Sequence, residues 1–294
     1  MTLLDLIENS AERLRQAQVH FGHGTTNARD EAAWLVLWRL GLPLDTPLEG
    51  ADSQESRPIS AAEAEACALL IEARIESRKP AAYLTREAWL QGVPFYVDER
   101  VIVPRSLIAE LLVDGSLDYW LSDATHHVLD LCTGNGSLAI IAAMVYPDTV
   151  VDGIDISTDA LAVAAINVER HQLQDRITLL ASDGLQAAPR GYDLILCNPP
   201  YVNADSMSTL PPEYLAEPAI ALDGNTAGSR DGMDFIRALL RDAPRHMNEG
   251  AVLVLEIGHE RNYFEAAFPD LAAVWLETSA GEDQVLLLTR DALL

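Results

Sequence analysis

Apolar side chains recur at helical spacing through the first 80 residues. Residues 2–19, 27–41 and 60–78 each carry them every three or four positions, and Thr2 and the Ser60–Glu63 capping-box pattern provide helix starts. Gly41 and Pro80 provide helix stops. The pattern predicts a small helical domain over residues 1–85. It holds no catalytic residue pattern, and its composition suits partner recognition and plain packing equally well.

The period of the pattern changes after residue 85. Residues 88–90, 95–97 and 101–103 are typical of short strands, with a turn at residues 92–94, which predicts a β-hairpin linker over residues 86–105. A helix is then predicted from Pro104 to about Leu121.

From residue 106 to 294 apolar runs alternate with helical segments. This alternation predicts an α/β domain with a mostly parallel sheet and right-handed crossovers. The last two strands are joined by residues 278–283, which are too few for a crossover helix, so we expect one strand to be reversed at the sheet edge. The seven predicted strands cover residues 127–131, 150–156, 177–181, 192–197, 251–257, 272–277 and 284–289.

The fourth of these strands ends abruptly in Asn198-Pro199-Pro200-Tyr201. Two prolines stop a strand because neither donates a backbone hydrogen bond, and they force Asn198 into an extended conformation. The result is a stiff corner at the carboxyl end of a central strand, where ligands of open α/β sheets bind. One side-chain amide and adjacent backbone carbonyls there could accept both hydrogens of an NH2 group. A plain strand-ending turn is the competing interpretation.

A second candidate site follows the first strand of the sheet. Cys132-Thr133-Gly134-Asn135-Gly136 is a glycine turn before a helix, and it also fits a dinucleotide-binding fingerprint. Asp130 favours a different ligand, because a carboxylate facing the turn would repel a pyrophosphate and attract an ammonium group. S-adenosylmethionine has that ammonium group and no phosphate. Asp155 and Asp183 end the next two strands, where they could accept from ribose hydroxyls and an adenine amino group.

Composition narrows the function classes. Hydrophobic residues make up 49% of the chain and charged residues 22%, as in globular proteins. No apolar run approaches a membrane span, the N-terminus does not resemble a signal peptide, and the three cysteines suggest free thiols in a reducing compartment, so we expect a cytoplasmic protein. The formal net charge of −25 disfavours naked nucleic acid as a partner and favours a basic protein, with a role in solubility alone as the competing interpretation. The seven histidines show no metal-ligand spacing, and no metal is expected.

On these motifs the chain from about residue 95 to the C-terminus resembles the class I S-adenosylmethionine-dependent methyltransferases. Within them it is similar to the HemK-type protein glutamine methyltransferases, which methylate the side-chain amide nitrogen of glutamine. The resemblance implies a Rossmann-like fold with a seven-stranded mixed sheet (last strand antiparallel), preceded by a helical domain and a β-hairpin, and makes residues 106–294 the catalytic domain. It implies that residues 1–85 recognise the substrate.

The same resemblance implies roles for individual residues. Asn198, Pro199, Pro200 and Tyr201 would bind the substrate amide, with Asn198, Pro199 and Tyr201 catalytic. The cofactor-binding residues would be Asp130, Cys132, Thr133, Gly134, Asn135, Gly136, Asp155, Asp183, Gly184 and Asn198.

Two branches of that family are candidates. The release-factor branch usually carries Pro-Arg-Pro-Glu-Thr-Glu after the hairpin, whereas this chain has Pro-Arg-Ser-Leu-Ile-Ala-Glu at residues 104–110. That departure and residues 21–31 resemble the branch that modifies large-subunit ribosomal protein L-three, although that branch more often has proline where Leu107 stands. The substrate would then be a basic ribosomal protein, and a peptide chain release factor is the alternative.

Other interpretations compete with this one. An adenine amino methyltransferase can use the same Asn-Pro-Pro-Tyr corner, but it needs a basic groove. A nicotinamide dehydrogenase and a catalytically idle scaffold are further alternatives. Residues 202–230 form a long connection that we interpret as a substrate-covering segment, with a disordered surface loop as the alternative; the resemblance puts Glu217-Pro218 near the site.

Overall fold

The computed structural model describes all 294 residues, and the chain forms two compact units. One unit consists of Met1–Ala88 together with Pro211–Ala216. The other consists of Trp89–Leu210 and Glu217–Leu294. None of the helices in either unit is long and apolar enough to span a membrane.

The first unit is helical, as the sequence pattern predicts. The capping boxes expected at Thr2 and Ser60 are both present. A short helix just after Pro80 was not expected, because five residues are too few to show a helical period. The helices are α1 (Leu3–Gln16), α2 (Ala28–Arg39), α3 (Ala61–Ser77) and α4 (Ala81–Thr85).

Residues 211–216 join this unit through a buried acid. Glu213 accepts a hydrogen bond from the backbone N–H of His20 at 3.1 Å, and its carboxylate pairs with Arg78 at 3.3 Å. Arg74, fully buried on α3, pairs with Glu31 of α2 at 2.8 Å and lies 3.6 Å from Glu213. Ion pairing offsets the cost of burying these charges. The segment is therefore fixed by contacts within the helical unit.

The hairpin is shorter than predicted. Its strands are β1 (Ala88–Leu90) and β2 (Val93–Phe95), and the expected strand at residues 101–103 is absent. The N–H of Val103 bonds to the carboxylate of Glu217 instead of to a neighbouring strand. The predicted helix from Pro104 to Leu121 is also wrong in extent. It is reduced to α5 (Ile108–Val113) and a 3-10 turn at Asp118–Trp120, separated by Gly115 in a left-handed conformation.

The second unit is built on a seven-stranded sheet of order β5-β4-β3-β6-β7-β9-β8, whose first five strands in this order are parallel. The strands are β3 (His127–Leu131), β4 (Val150–Asp155), β5 (Ile177–Ala181), β6 (Tyr192–Cys197), β7 (Met247–Glu256), β8 (Val274–Thr278) and β9 (Gly281–Thr289).

The last strand is antiparallel, as predicted, but its expected place at the sheet edge is wrong. Strand β9 lies between β7 and β8 and is antiparallel to both, and β8 forms the edge. Val285, Leu286, Leu287 and Leu288 of β9 are all completely buried, whereas β8 is mostly half-exposed. The more apolar strand therefore takes the interior position.

Successive strand residues bury into opposite faces of the sheet. Leu194 and Leu196 of β6 belong to the core under α5 and α6, whereas Ile195 and Cys197 belong to the core under α9 and α10. Helices thus cover both faces, as in other open parallel sheets. The remaining helices are α6 (Ser137–Val145), α7 (Thr158–Arg170), α8 (Ala204–Met207), α9 (Asp234–Asp242) and α10 (Arg261–Ala267).

Candidate active site

A cavity of about 440 Å³ opens at the carboxyl ends of β3, β4, β5 and β6. This is the edge where strand order changes direction around β3, the usual ligand-binding position in such sheets. Seven of the residues selected from the sequence line it. They are Cys132, Gly134, Asp155, Asp183, Gly184, Asn198 and Pro200. The other selected residues, Asp130, Thr133, Asn135, Gly136, Pro199 and Tyr201, do not line the cavity.

The glycine turn after β3 has a strained, compact backbone. Cys132, Gly134 and Gly136 all have positive φ, at 64°, 55° and 81°. A Cβ on Gly136 would lie 3.2 Å from the Cβ of Ala164 on α7, so glycine permits both the conformation and the close approach of this helix. The sequence motif therefore forms the tight turn that its glycines predict.

Asp155 joins this turn to the end of β4. Its Oδ2 accepts a hydrogen bond from the N–H of Gly134 and its Oδ1 accepts one from the N–H of Ser157, both at 2.9 Å. Burial raises the pKa of this carboxyl group, whereas the two backbone donors act against the rise. Each oxygen keeps a further lone pair for a ligand hydroxyl.

Asp130 has a different position from the one expected. It is buried, and its Oδ2 accepts hydrogen bonds from Thr133 Oγ1 at 2.5 Å and from the N–H of Ala139 at 2.9 Å. It thus holds the glycine turn against the start of α6. Its other oxygen, Oδ1, is buried without a hydrogen-bond partner. Burial raises the pKa of this group to about 7.

The Asn198 corner leaves two acceptors unused. The Asn198 side chain is half-buried at the cavity wall and makes no hydrogen bond within the protein. The carbonyl of Pro199 accepts none either. Because neither acceptor is used within the protein, the pair is available to a ligand with two donor hydrogens.

Two glycines shape the corner from outside the cavity. A Cβ on Gly258 would lie 2.7 Å from Cε2 of Tyr201, and a Cβ on Gly232 would lie 2.1 Å from the Tyr201 carbonyl oxygen. The ring and the backbone of Tyr201 therefore both pack so closely against these positions that only glycine leaves room for them. The sequence showed no role for either glycine, although Gly258 lies two residues after the end of β7.

The rest of the cavity wall was missed by sequence reasoning. Arg105 forms a two-pronged ion pair with Glu217, with N–O distances of 2.7 and 2.8 Å, and so ties the segment before α5 to the segment at residues 218–221. The only signal was the resemblance that put Glu217-Pro218 near the site. Pro218 does line the cavity, and the missed lining residues include Arg100, Val101, Ile102, Ile220, Ala221, Thr226 and Phe235.

No group of three or more His, Cys, Asp or Glu side chains is placed to hold a metal ion.

Comparison with known proteins places the chain among methyltransferases. Residues 110–220 match the family described as "Methyltransferase small domain". The fold is also similar to that of a methyltransferase from Pyrococcus furiosus, at a TM-score of 0.50 and 16% identity over 74% of this chain and 97% of the other. The hMettl16 catalytic domain solved with an RNA hairpin has a TM-score of 0.50 at 12% identity, covering 78% of this chain and 81% of the other. At these identities the likeness shows the fold alone.

Curated relatives are much closer in sequence. A ribosomal protein uL3 glutamine methyltransferase of Bordetella pertussis is 52% identical over 99% of this chain and 96% of its own length. Proteins of the same name from Neisseria meningitidis serogroup B and Bradyrhizobium diazoefficiens are 48% and 45% identical, covering 100% and 97% of this chain and 94% and 89% of their own lengths. Identity at this level over nearly the full length shows that the chain belongs to the family of ribosomal protein uL3 glutamine methyltransferases.

Proposed function

We propose that this protein transfers a methyl group from S-adenosylmethionine to the side-chain amide nitrogen of a glutamine in large-subunit ribosomal protein uL3. The family relationship supports the reaction and the substrate. The observation that carries the proposal in the structure is the pair of free acceptors at the Asn198 corner, which match the two hydrogens of a carboxamide.

The cavity fits the proposed cofactor chemically. Two of its charged lining residues, Asp155 and Asp183, are acidic, which suits a cationic ligand without phosphate better than a dinucleotide. Asp155 would accept from the ribose hydroxyls and Asp183 from the adenine amino group. Asp130 does not line the cavity, but its unpaired Oδ1 is buried next to the glycine turn, and its charge would attract the ammonium group held at that turn. When bound, S-adenosylmethionine supplies an electrophilic methyl group on a sulfonium centre.

The Asn198 corner would act on the substrate amide. An amide nitrogen is a weak nucleophile because its lone pair is delocalised into the carbonyl. With its two hydrogens held by Asn198 Oδ1 and the Pro199 carbonyl, the nitrogen can pyramidalise and present its lone pair for in-line attack. Positioning of this kind contributes about 7–11 kcal/mol to lowering a barrier.

The two acceptors would also stabilise the positive charge that develops on the nitrogen. The proton lost from the nitrogen can pass to water. Tyr201, whose ring packs closely against Gly258, would also pack against the substrate amide, and Pro200 contributes to the cavity wall.

We further infer that the helical segment, residues 1–85, recognises the substrate and that residues 202–230 cover it. The net charge of −25 supports a basic protein as partner, since opposite charge favours encounter. No direct contact with nucleic acid and no membrane is needed for this reaction, which would take place in the cytoplasm.

The test is transfer of label from methyl-labelled S-adenosylmethionine to three candidate acceptors: purified uL3, a peptide chain release factor, and DNA. We expect uL3 to take the label. Label on the release factor would identify the release factor as the substrate instead of uL3, and label on DNA would support adenine methylation. Asn198→Ala should lower turnover on uL3 at least about 100-fold, because positioning of the amide is lost, while cofactor affinity changes only a few-fold. Near-normal turnover in this variant would contradict the mechanism.

A further inference from the structure

One cavity residue stands apart from the others in charge. Arg100 is the only cationic side chain among the residues that line the cavity. The two other charged lining residues, Asp155 and Asp183, are acidic, so an arginine among them suggests that the ligand carries a negative group at that point.

Arg100 is held in a fixed orientation. Its backbone N–H and its guanidinium both bond to Asp98, with Nε–Oδ1 at 2.8 Å and Nη2–Oδ2 at 2.7 Å. The hydroxyl of Tyr96 donates to the same carboxylate at 2.9 Å. The remaining nitrogen, Nη1, makes no hydrogen bond within the protein, and the side chain is 37% exposed. The guanidinium is therefore preorganised with one edge unused.

The segment that carries Arg100 is fixed next to the glycine turn. Asn167 of α7 is completely buried and contacts both. Its Oδ1 accepts from the N–H of Tyr96 at 2.7 Å, and its Nδ2 donates to the carbonyls of Tyr96 and Asn135 at 2.9 Å each. Residues 96–100 thus belong to the same end of the site as the glycine turn and the unpaired oxygen of Asp130.

We propose that Arg100 binds the carboxylate of the methionine part of S-adenosylmethionine through Nη1. This inference rests on the proposed function. A zwitterionic amino-acid end needs an acceptor for its ammonium group and a donor for its carboxylate. The carboxylate of Asp130, buried behind the glycine turn, would attract the ammonium group. Asp155 and Asp183 would repel the carboxylate, which leaves Arg100 as the charged partner.

Three ligands that differ only at this end provide the test. S-Adenosylmethionine has the carboxylate, decarboxylated S-adenosylmethionine lacks it, and 5′-methylthioadenosine lacks the whole amino-acid end. Their Kd values are measured by calorimetry for the full chain and for Arg100→Met, which keeps an apolar stem without charge. Arg241→Met is the control, because Arg241 is exposed on α9 and paired only with Asp242.

We expect Arg100→Met to weaken binding of S-adenosylmethionine at least about tenfold, as for loss of a charged hydrogen bond. Binding of the two ligands without carboxylate should stay within about twofold, and Arg241→Met should change none of the three. Arg100→Lys keeps the charge without the two-pronged contact to Asp98, so it should lose less affinity for S-adenosylmethionine than Arg100→Met. It replaces Arg100→Met in the experiment if the methionine variant does not fold.

Equal weakening for all three ligands would overturn the proposal, because it would mean that Arg100 only supports the cavity wall. Unchanged Kd values with a raised KM for uL3 would also overturn it and assign Arg100 to the protein substrate. Failure of the unaltered protein to bind S-adenosylmethionine would instead contradict the proposed function.

Discussion

Replacing Gly258 by alanine should displace Tyr201 and, through it, the Asn198 corner at the cavity wall. The new Cβ would lie 2.7 Å from Cε2 of the ring and 3.0 Å from Cζ and Oη, whereas ordinary contacts begin at 3.4 Å. The ring must therefore retreat by about 0.7 Å, the difference between 3.4 and 2.7 Å. The Tyr201 carbonyl is confined by Gly232, so the shift is passed to the neighbouring Asn198 corner.

The expected loss has two parts. Misplacement of a positioning group by about 1 Å can cost on the order of 100-fold in rate, so a shift of about 0.7 Å should lower turnover roughly 10- to 100-fold. Alanine at φ 53° also costs about 1–2 kcal/mol of folding free energy. Affinity for S-adenosylmethionine should stay within a few-fold, because Gly258 does not line the cavity.

Gly250→Ala is a matched control. Gly250 lies on β7, eight residues earlier, and has φ 77°, and a Cβ added there would meet no atom within 4 Å. It should show a similar loss of stability in urea unfolding and unchanged turnover. The assay is single-turnover transfer of labelled methyl to uL3 by both variants at saturating cofactor. Equal turnover of Gly258→Ala and Gly250→Ala would refute the reasoning.

Two further predictions concern buried acids. Burial raises the pKa of Glu256 from an ordinary 4.5 to about 7. Between these two pH values the folded protein keeps a proton on Glu256 that the unfolded chain has lost. The folded state therefore loses stability as the pH rises from 4.5 to about 7. In urea unfolding, Glu256→Gln should therefore be more stable than wild type by on the order of 1–3 kcal/mol at pH 8 and converge with it near pH 5; a difference independent of pH would contradict this. Glu217→Ala should destabilise the fold by about 3 kcal/mol, because Arg105 loses its two-pronged partner, and should weaken cofactor binding. Asp205→Asn, which breaks an exposed pair, should cost less than about 1 kcal/mol in the same unfolding experiment, and similar losses in the two variants would count against a special role for Glu217.

The local pattern of apolar, capping and turn residues determined most of the secondary structure of this protein. Helical spacing and capping residues predicted α1, α2 and α3, because a helix depends on side chains three and four positions apart. Unbroken apolar runs predicted the seven strands, and the two prolines after Cys197 marked where β6 ends. Because the carboxyl ends of parallel strands lie at one edge of the sheet, the sequence also predicted correctly that Asp155, Asp183 and Asn198 lie together at the cavity.

Only the tertiary structure decided the remaining features. The inner place of β9, the contact of Gly258 with Tyr201, the entry of Arg100 into the cavity wall and the pairing of Arg105 with Glu217 were all invisible in the sequence. Each depends on groups that are distant along the chain; Val103 and Glu217, for example, are 114 residues apart. Periodicity and turn chemistry report on neighbours within a few residues, whereas these contacts arise from packing in three dimensions, which leaves no local signal.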